Sequence, residues 1–203
     1  MDNTELRNTE TLDFSLFKAI KAGGYNLYLR HGEKEKEPGV ILDLKNCKTQ
    51  SNLTNNGKKQ SEKLGEIFRK QKVPVQYPVF TSPFCRTKDT GKLAFGEQNI
   101  EVIDELAAIN DLNIDNPNNQ QKIVQETLIR MFETVPNANL NRLFIAHDHT
   151  FNEPIQCPDN TGSGLCFLDT VILKPKGSGL GYEFVGLISL NQFISWASEN
   201  LSD

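Results

Sequence analysis

Two of the three histidines in this 203-residue chain directly follow apolar runs and stand beside groups that can bind an anion. Arg30 and His31 follow residues 25–29, and His147 follows residues 142–146. Runs rich in aromatic and large aliphatic residues are typical of buried strands. Strands that end in this way carry imidazole and guanidinium groups to the edge of a sheet, where open α/β sheets bind their ligands.

A third apolar run, residues 78–80, leads into Thr81, Ser82 and Pro83, and Arg86 follows about one helical turn later. If the three strands are parallel, two imidazoles and two guanidinium groups meet at one edge of the sheet. Guanidinium forks match phosphate oxygens, and Pro83 suits the first turn of a helix whose N–H groups add further donors. The pattern predicts a site for a phosphoryl dianion.

Phosphoryl transfer through histidine needs a defined set of groups. A neutral imidazole attacks phosphorus while an acceptor, commonly a backbone carbonyl, holds its other nitrogen. Cations stabilise the charge on the transferring oxygens, and a nearby carboxylic acid protonates the leaving alcohol. The arginines can do what Mg²⁺ does elsewhere, so we expect neither a metal nor another cofactor. Taken alone, however, His31 is equally compatible with a surface histidine in a turn.

Helical and strand patterns alternate through most of the length. Helices are predicted at residues 12–20, 54–72, 83–95, 121–134 and 191–199, and strands at 25–29, 78–81, 100–103, 142–146, 165–173 and 183–190. This alternation indicates an α/β fold, a three-layer α/β/α sandwich with a mostly parallel central sheet. The last two strands are expected to form an antiparallel hairpin at its edge. Residues 1–12 are predicted to be a loose tail and residues 13–203 a single domain.

Composition argues against two classes of partner. The net charge is −4 and the basic residues form no single patch, which argues against nucleic acid. No apolar run approaches the roughly 20 residues of a membrane-spanning helix. The polar N-terminus lacks the apolar core of a signal peptide, so the sequence as it stands predicts a cytoplasmic protein. A chain from which a leader had been removed would look the same and be extracytoplasmic.

The four cysteines, Cys47, Cys85, Cys157 and Cys166, lack the CxxC spacing of zinc sites. Two disulfides are possible in an oxidising compartment. Cys85 precedes Arg86, which would activate a thiolate, but the Cys-x5-Arg loop of cysteine phosphatases is missing. We expect Cys85 to be a packing residue or half of a disulfide, and its pairing with Cys47 stays open.

Four segments together resemble the signature of the histidine phosphatase superfamily, which includes cofactor-dependent phosphoglycerate mutases and histidine acid phosphatases. Residues 28–33 (YLRHGE) resemble its first motif, 53–61 (LTNNGKKQS) its LTxxGxxQA helix start, 81–90 (TSPFCRTKDT) its SSPxxRxxxTA segment, and 145–147 (IAH) the site of its second histidine. The resemblance spans residues 25–147 in order and implies a phosphoglycerate-mutase-like fold. In related extracytoplasmic members, a cysteine in the region of Cys47 and Cys85 is familiar.

The resemblance also implies roles. His31 would be the phosphorylated nucleophile, and Arg30, Arg86 and His147 would bind and stabilise the phosphoryl group. For the proton donor it offers two candidates. Glu105 stands where the mutases place their acid and is slightly favoured, whereas Asp148 forms a His-Asp pair that resembles the acid-phosphatase and phytase branch.

The departures from the family pattern favour a phosphatase over a mutase. Ala146 replaces the usual glycine before the second histidine, and Gly91 replaces the alanine after Thr90. The mutases follow their acid with a GxxEG segment, but Glu105 is followed by Leu-Ala-Ala-Ile-Asn. Mutase activity is therefore the least favoured reading of the site.

The sequence predicts a metal-independent phosphatase that forms a phosphohistidine on His31. The alternative is a catalytically weak phospho-ligand binding or scaffold protein, motivated by the unusual loop at residues 104–119 and the lack of a firmly identified acid. Small phosphorylated metabolites or phosphosugars are the expected substrates, and the loops at residues 33–52 and 111–121 should set specificity. Glu33 and His149 are expected to face solvent.

Overall fold

Helices and strands alternate along the chain in a computed structural model that describes residues 14–158 and 164–199. The helices are α1 (Phe14–Ala22), α2 (Asn55–Lys70), α3 (Cys85–Phe95), α4 (Asn119–Glu133) and α5 (Leu190–Glu199). The strands are β1 (Asn26–Arg30), β2 (Val75–Thr81), β3 (Ile100–Val102), β4 (Asn141–Ala146), β5 (Thr170–Pro175) and β6 (Tyr182–Ile188). Short 3-10 helices lie at Cys47–Thr49, Glu97–Asn99 and Asp104–Asn113.

The six strands form one sheet in the order β3-β2-β4-β1-β5-β6. The first four strands are parallel, whereas β5 runs antiparallel to β1 and to β6. Leu29 lies opposite Thr170, and Thr170 lies opposite Ile188, so β5 begins and β6 ends at the edge where the parallel strands end. The predicted sheet, with its antiparallel hairpin near the C-terminus, is confirmed.

Two apolar clusters cover the two faces of the sheet. Because successive strand residues point to opposite faces, Leu27 and Leu29 pack with α1, α2, α3 and α5, while Tyr28 packs with α4 and the 3-10 helix at Asp104–Asn113. Both faces of the central strands β1 and β4 are therefore buried, which their apolar sequences require. The three-layer architecture predicted from the alternation of elements is confirmed.

The start of α2 lies directly against the turn that follows β1. Thr54 caps the helix by accepting from the Gly57 N–H at 2.9 Å, and its own N–H donates to the Glu33 carbonyl at 3.0 Å. A Cβ on Gly32 would lie 2.7 Å from the Gly57 carbonyl oxygen, so a side chain there would push the helix away. The glycines of the first two motifs thus allow this close approach.

Several predicted boundaries differ from the structure. The segment at residues 104–119, expected to be a loop, contains a 3-10 helix over Asp104–Asn113. The strand expected over residues 165–173 begins only at Thr170, because Leu168 has a positive φ of 61° and the Cys166 N–H donates to the Asp169 carboxylate in a turn. The tail predicted at residues 1–12 lies outside the described residues, and the boundary of a single domain at residue 13 stays a prediction. Within the described residues, no helix is long and apolar enough to cross a membrane.

Candidate active site

His31 follows the last residue of β1 and is held there by the sheet. Its N–H donates to the Ala146 carbonyl of β4 at 3.1 Å, which continues the parallel ladder by one residue. Its ring Nδ1 lies 2.7 Å from the Gly32 carbonyl oxygen. Since a carbonyl can only accept, Nδ1 carries the proton and Nε2 is left unprotonated, with a lone pair that can accept.

Burial keeps this imidazole neutral. His31 is only 2% exposed, and burial lowers the pKa of its imidazole well below the usual 6.5. The hydrogen bond to the Gly32 carbonyl opposes this shift, while the nearby charge of Arg86 adds to it. A neutral imidazole with an unprotonated Nε2 is the form that can attack phosphorus.

Arg86 joins the two histidines of the site. It lies in the first turn of α3, after Ser82, whose N–H donates to the Ile145 carbonyl of β4 at 3.0 Å. Its Nε donates to Nε2 of His31 at 3.0 Å, and its Nη2 lies 3.3 Å from Nδ1 of His147. The two imidazole centroids are 5.7 Å apart. The convergence predicted for these strand ends is therefore present.

The tautomer of His147 follows from its neighbours. Because Arg86 can only donate, Nδ1 of His147 accepts, and Nε2 donates to the Ser82 hydroxyl at 2.9 Å. The Tyr28 hydroxyl donates to the His147 carbonyl at 2.7 Å and fixes the backbone at this point. Burial, followed by the charges of Arg86, Arg30 and Lys34, lowers the pKa of His147 to about 3.

Arg30 is the second buried cation. Its Nη1 donates to the Leu165 carbonyl and lies 3.9 Å from a carboxylate oxygen of Asp148. Its Nε is buried and has no hydrogen-bond partner within residues 14–158 and 164–199. Burial lowers the pKa of Arg30, and the Asp148 charge counters that shift. A buried guanidinium with an unused N–H donor is suited to an incoming anion.

Two phenylalanine rings flank the histidines. Phe84 lies under the Arg86 guanidinium at 4.2 Å and edge-on to His147 at 4.7 Å. Phe167 lies 4.5 Å from the Arg30 guanidinium and 5.8 Å from the His31 ring. Each arginine is therefore backed by an aromatic face, which favours a cation and restricts water.

The two candidate proton donors differ in their contacts. Asp148 accepts from the Leu165 N–H at 2.6 Å and pairs with Arg30, so its carboxylate belongs to the cluster. Glu105 lies half-buried in the 3-10 helix after β3. It makes no hydrogen bond or ion pair with Arg30 or His31, nor with any other described residue of the cluster.

Several residues of the site were not predicted from the sequence. Ser82 stands inside a predicted motif, and the apolar-to-polar change at Thr81 marks its position, but its contact with His147 spans 65 residues. Lys34, in the loop at residues 33–52 that was expected to set specificity, is half-buried and contributes its charge to the site. Phe167 gave no local signal, since it lies in the segment predicted as a strand.

Two other expectations are corrected. His149, expected at the surface, is 4% exposed because its Nδ1 accepts from the Phe151 N–H and its ring packs edge-on against the Phe151 ring at 4.5 Å. Glu33, expected to face solvent, is half-buried and accepts from Thr54 and Asn56 at the start of α2. Both side chains support the elements around the site.

Each of the two disulfides adjoins one arginine of the site. Cys47 pairs with Cys85, which directly precedes Arg86, and Cys157 pairs with Cys166, next to Leu165 and Phe167. The loop that carries Cys47 also accepts the Cys85 N–H through the Gln50 side chain at 2.8 Å. Disulfides persist in oxidising compartments, but the location of the protein stays a prediction.

The site contains two neutral histidines that a buried arginine joins, and a second arginine lies beside them. This set of groups defines a class of phosphoryl-transfer site. The family model of the histidine phosphatase superfamily (branch 1) matches residues 27–144, more than half of the chain. The chain therefore belongs to the histidine phosphatase superfamily. This confirms the family predicted from the motifs and its class of enzyme, a histidine-type phosphatase.

Solved structures agree with this fold. A structure of the protein histidine phosphatase SixA complexed with tungstate is 20% identical, with a TM-score of 0.52, and the match covers 82% of this chain and 97% of that chain. A structure of a mycobacterial glucosyl-3-phosphoglycerate phosphatase with VO3 is 14% identical, with a TM-score of 0.51, and covers 81% and 98%. No curated protein matches the sequence significantly.

Proposed function

We propose that this protein hydrolyses small phosphomonoesters through a phosphohistidine formed on Nε2 of His31. The observation that carries the proposal is the state of His31, which is buried, neutral and protonated on Nδ1 by its bond to the Gly32 carbonyl. Its Nε2 lone pair faces the Arg86 guanidinium. Two proteins of the same fold form complexes with tungstate and with VO3, anions that resemble phosphate, and this supports binding of a phosphate-like anion by this protein.

In the first step, the phosphoryl oxygens replace His31 as the acceptors of the Arg86 N–H groups. Arg30 donates through its unused Nε. Nε2 of His31 then forms a bond to phosphorus while the ester P–O bond breaks. The guanidinium groups bind the charge that spreads over the equatorial oxygens.

The Asp148 carboxylate, which is paired with Arg30 before substrate binds, takes up a proton as the phosphoryl group replaces it beside Arg30, and then donates that proton to the departing alkoxide. Asp148 is the better supported donor, because its carboxyl group lies in the cluster through Arg30 and Leu165. In the second step, the Asp148 carboxylate takes a proton from water, and the hydroxide attacks phosphorus. The His31–phosphorus bond breaks and inorganic phosphate leaves, so the enzyme returns to its starting state.

The proposed reaction needs no metal, because two guanidinium groups supply the positive charge that Mg²⁺ supplies elsewhere. A direct test measures hydrolysis of 4-nitrophenyl phosphate with a metal chelator present. We expect full activity in the wild type and none in His31→Ala. The matched control is His149→Phe, which changes a buried histidine outside the site. Undiminished turnover in His31→Ala would contradict the proposal.

A phospho-ligand binding protein with little turnover is the second candidate. One observation favours it. The Asp148 carboxylate already pairs with Arg30 and accepts from the Leu165 N–H, so it is not held in place to donate a proton to a leaving group. Such a protein would bind inorganic phosphate or vanadate without hydrolysing 4-nitrophenyl phosphate. The activity measurement above separates the two.

A further inference from the structure

A cleft of about 630 Å³ adjoins the phosphoryl site on the side of α2 and α5. It lies at the same edge of the sheet, beyond the end of β1 and the end of β6. Arg30 and Phe167 belong to both places, since both line the cleft and the Phe167 ring lies 5.8 Å from the His31 ring. A phosphate held at His31 would therefore lie beside the cleft.

We propose that this cleft binds the alcohol part of the substrate, and that this alcohol is polyhydroxylated, as in a sugar phosphate. The proposal rests on the proposed function, because it assigns the leaving group of the same reaction. A volume of this size is in the usual range for a small-molecule site, which spans roughly 300–1,000 Å³.

The first argument is the set of unused amide donors. Gln60 uses its carbonyl oxygen to accept the Glu33 N–H at 3.3 Å, and Gln192 uses its own to accept the Ser189 N–H at 2.8 Å. Neither amide nitrogen donates to any residue within 14–158 and 164–199. Both side chains are thus oriented by their oxygens and keep two N–H donors each for a ligand.

The second argument is the acceptor beside these donors. Glu33 lines the cleft, and its carboxylate accepts one bond per oxygen, from Thr54 at 2.9 Å and from Asn56 at 2.7 Å. Each carboxylate oxygen has a further lone pair. Neighbouring hydroxyl groups of a sugar need paired donors and acceptors, and Gln60 with Glu33 supplies such a pair.

The third argument is the apolar part of the wall. Phe167 is half-exposed, and Leu187 and Leu190 also line the cleft. A sugar ring has one face that carries mostly C–H groups, and this face gains free energy when it covers an aromatic or aliphatic surface. A wall with one aromatic ring and several amides fits such a ligand better than a purely apolar chain.

The charges of the cleft argue against a second acidic group on the substrate. Glu33 and Asp169 line it, and the one cation among its described lining residues, Arg30, is shared with the phosphoryl site. A second phosphate or carboxylate placed there would be repelled by two carboxylates. The leaving group should therefore be neutral as well as rich in hydroxyls.

The test compares substrates whose leaving groups are all primary alcohols. We expect kcat/KM for the best of a panel of aldose phosphates, such as glucose 6-phosphate, to exceed that for n-hexyl phosphate at least tenfold. In the double variant Gln60→Met/Gln192→Met, this advantage should fall at least tenfold. Gln71→Met, at the opposite end of α2, is the matched control.

Two outcomes overturn the proposal. Equal or faster hydrolysis of n-hexyl phosphate does so, and so does a double variant that keeps the preference for the sugar. Because Gln192 also caps α5 with Ser189, Gln192→Glu retains the capping oxygen and reports on folding by its melting temperature. An unfolded double variant is replaced by Gln60→Met alone, with the same expected loss of preference.

Failure of the proposed function gives a different result. If the wild type hydrolyses none of these esters, calorimetric titration still tests whether the cleft prefers a polyhydroxylated ligand. Tighter binding of the aldose phosphate than of n-hexyl phosphate supports the cleft, and equal or weaker binding overturns it.

Discussion

Arg86 donates from Nε to Nε2 of His31 at 3.0 Å, and the same guanidinium reaches Nδ1 of His147 at 3.3 Å. One buried cation thus bridges both imidazoles and holds each in a defined tautomer. It occupies the lone pair of His31 until an anion displaces it. Arg86 is therefore both the partner of the resting nucleophile and the expected ligand of the phosphoryl group.

Replacing Arg86 by lysine tests this double role. A lysine keeps the positive charge but has no planar fork that spans two imidazoles. We expect kcat/KM for 4-nitrophenyl phosphate to fall at least about 100-fold, close to 3 kcal/mol, as for other lost charge-stabilising donors. The control is Arg69→Lys, because Arg69 lies in α2 and its guanidinium donates to the Ala94 carbonyl of α3. If kcat/KM falls less than threefold in Arg86→Lys, a positive charge at this position is sufficient for catalysis and the planar guanidinium is not needed.

Ser82 is expected to position His147. Its hydroxyl accepts from Nε2 at 2.9 Å, so Ser82→Ala leaves a buried N–H without its acceptor, at a cost of about 1–3 kcal/mol. We expect kcat to fall about tenfold or more with little change in KM, and the acidic limb of the pH profile to move. Ser61→Ala is the matched control, because Ser61 is equally buried and its one hydrogen bond to a described residue goes to the Gly57 carbonyl within α2. Equal effects of both variants would assign Ser82 a purely structural role.

The proton donor is decided by comparing two amide variants. Asp148→Asn should slow the hydrolysis of an alkyl phosphate by about 10²–10⁴-fold and that of 4-nitrophenyl phosphate much less, because nitrophenolate leaves without a proton. Glu105→Gln should retain most activity with both substrates. Single-turnover kinetics with the two esters measures this directly. The reverse pattern would make Glu105 the acid.

Stability should fall on acidification from pH 7 to pH 5. Burial lowers the pKa of His147 to about 3 and that of His149 to about 4, from the usual 6.5, and that of His31 as well. Below about pH 6.5 the unfolded chain then binds more protons than the folded one, so the free energy of unfolding decreases by up to about 1.4 kcal/mol per pH unit for each histidine.

The measurement is urea unfolding at pH 7, 6 and 5. His149→Phe removes one of the three histidines. The number of protons taken up on unfolding should therefore fall by close to one, which makes the free energy of unfolding depend less steeply on pH. A wild type that gains stability on acidification would contradict the buried, neutral state of these histidines, as would an unchanged slope in the variant.

The residues of the site that lie at the ends of strands were predictable from the sequence, because a buried strand and the polar residues that end it are consecutive in the chain. Arg30, His31 and His147 were placed in this way, and the N-cap at Thr54 follows from its own local pattern. The contacts made by Ser82 and Phe167 were not predictable, since they join residues far apart in the chain. Their geometry depends on the turn before β5 and on the packing of neighbouring side chains.

Burial of single polar residues was equally hard to predict. His149 follows a histidine and an aspartate and has the surroundings of a loop residue, yet Phe151 with its positive φ of 56° brings the chain back over it. For a related reason, the sequence could not show whether Glu105 or Asp148 is the proton donor. Both follow strands that end at the same edge, and the direction of a side chain after a strand depends on contacts that no local pattern encodes.

The most direct test of the account is to trap the covalent intermediate. Wild-type protein is mixed with a phosphate-labelled ester, quenched within one turnover and digested, and the labelled peptide is identified. We predict an acid-labile, base-stable phosphoryl group on His31 in the wild type and in His149→Phe, and none in His31→Ala. Rapid hydrolysis with no label on His31, or a label that survives in His31→Ala, would contradict phosphoryl transfer through this histidine.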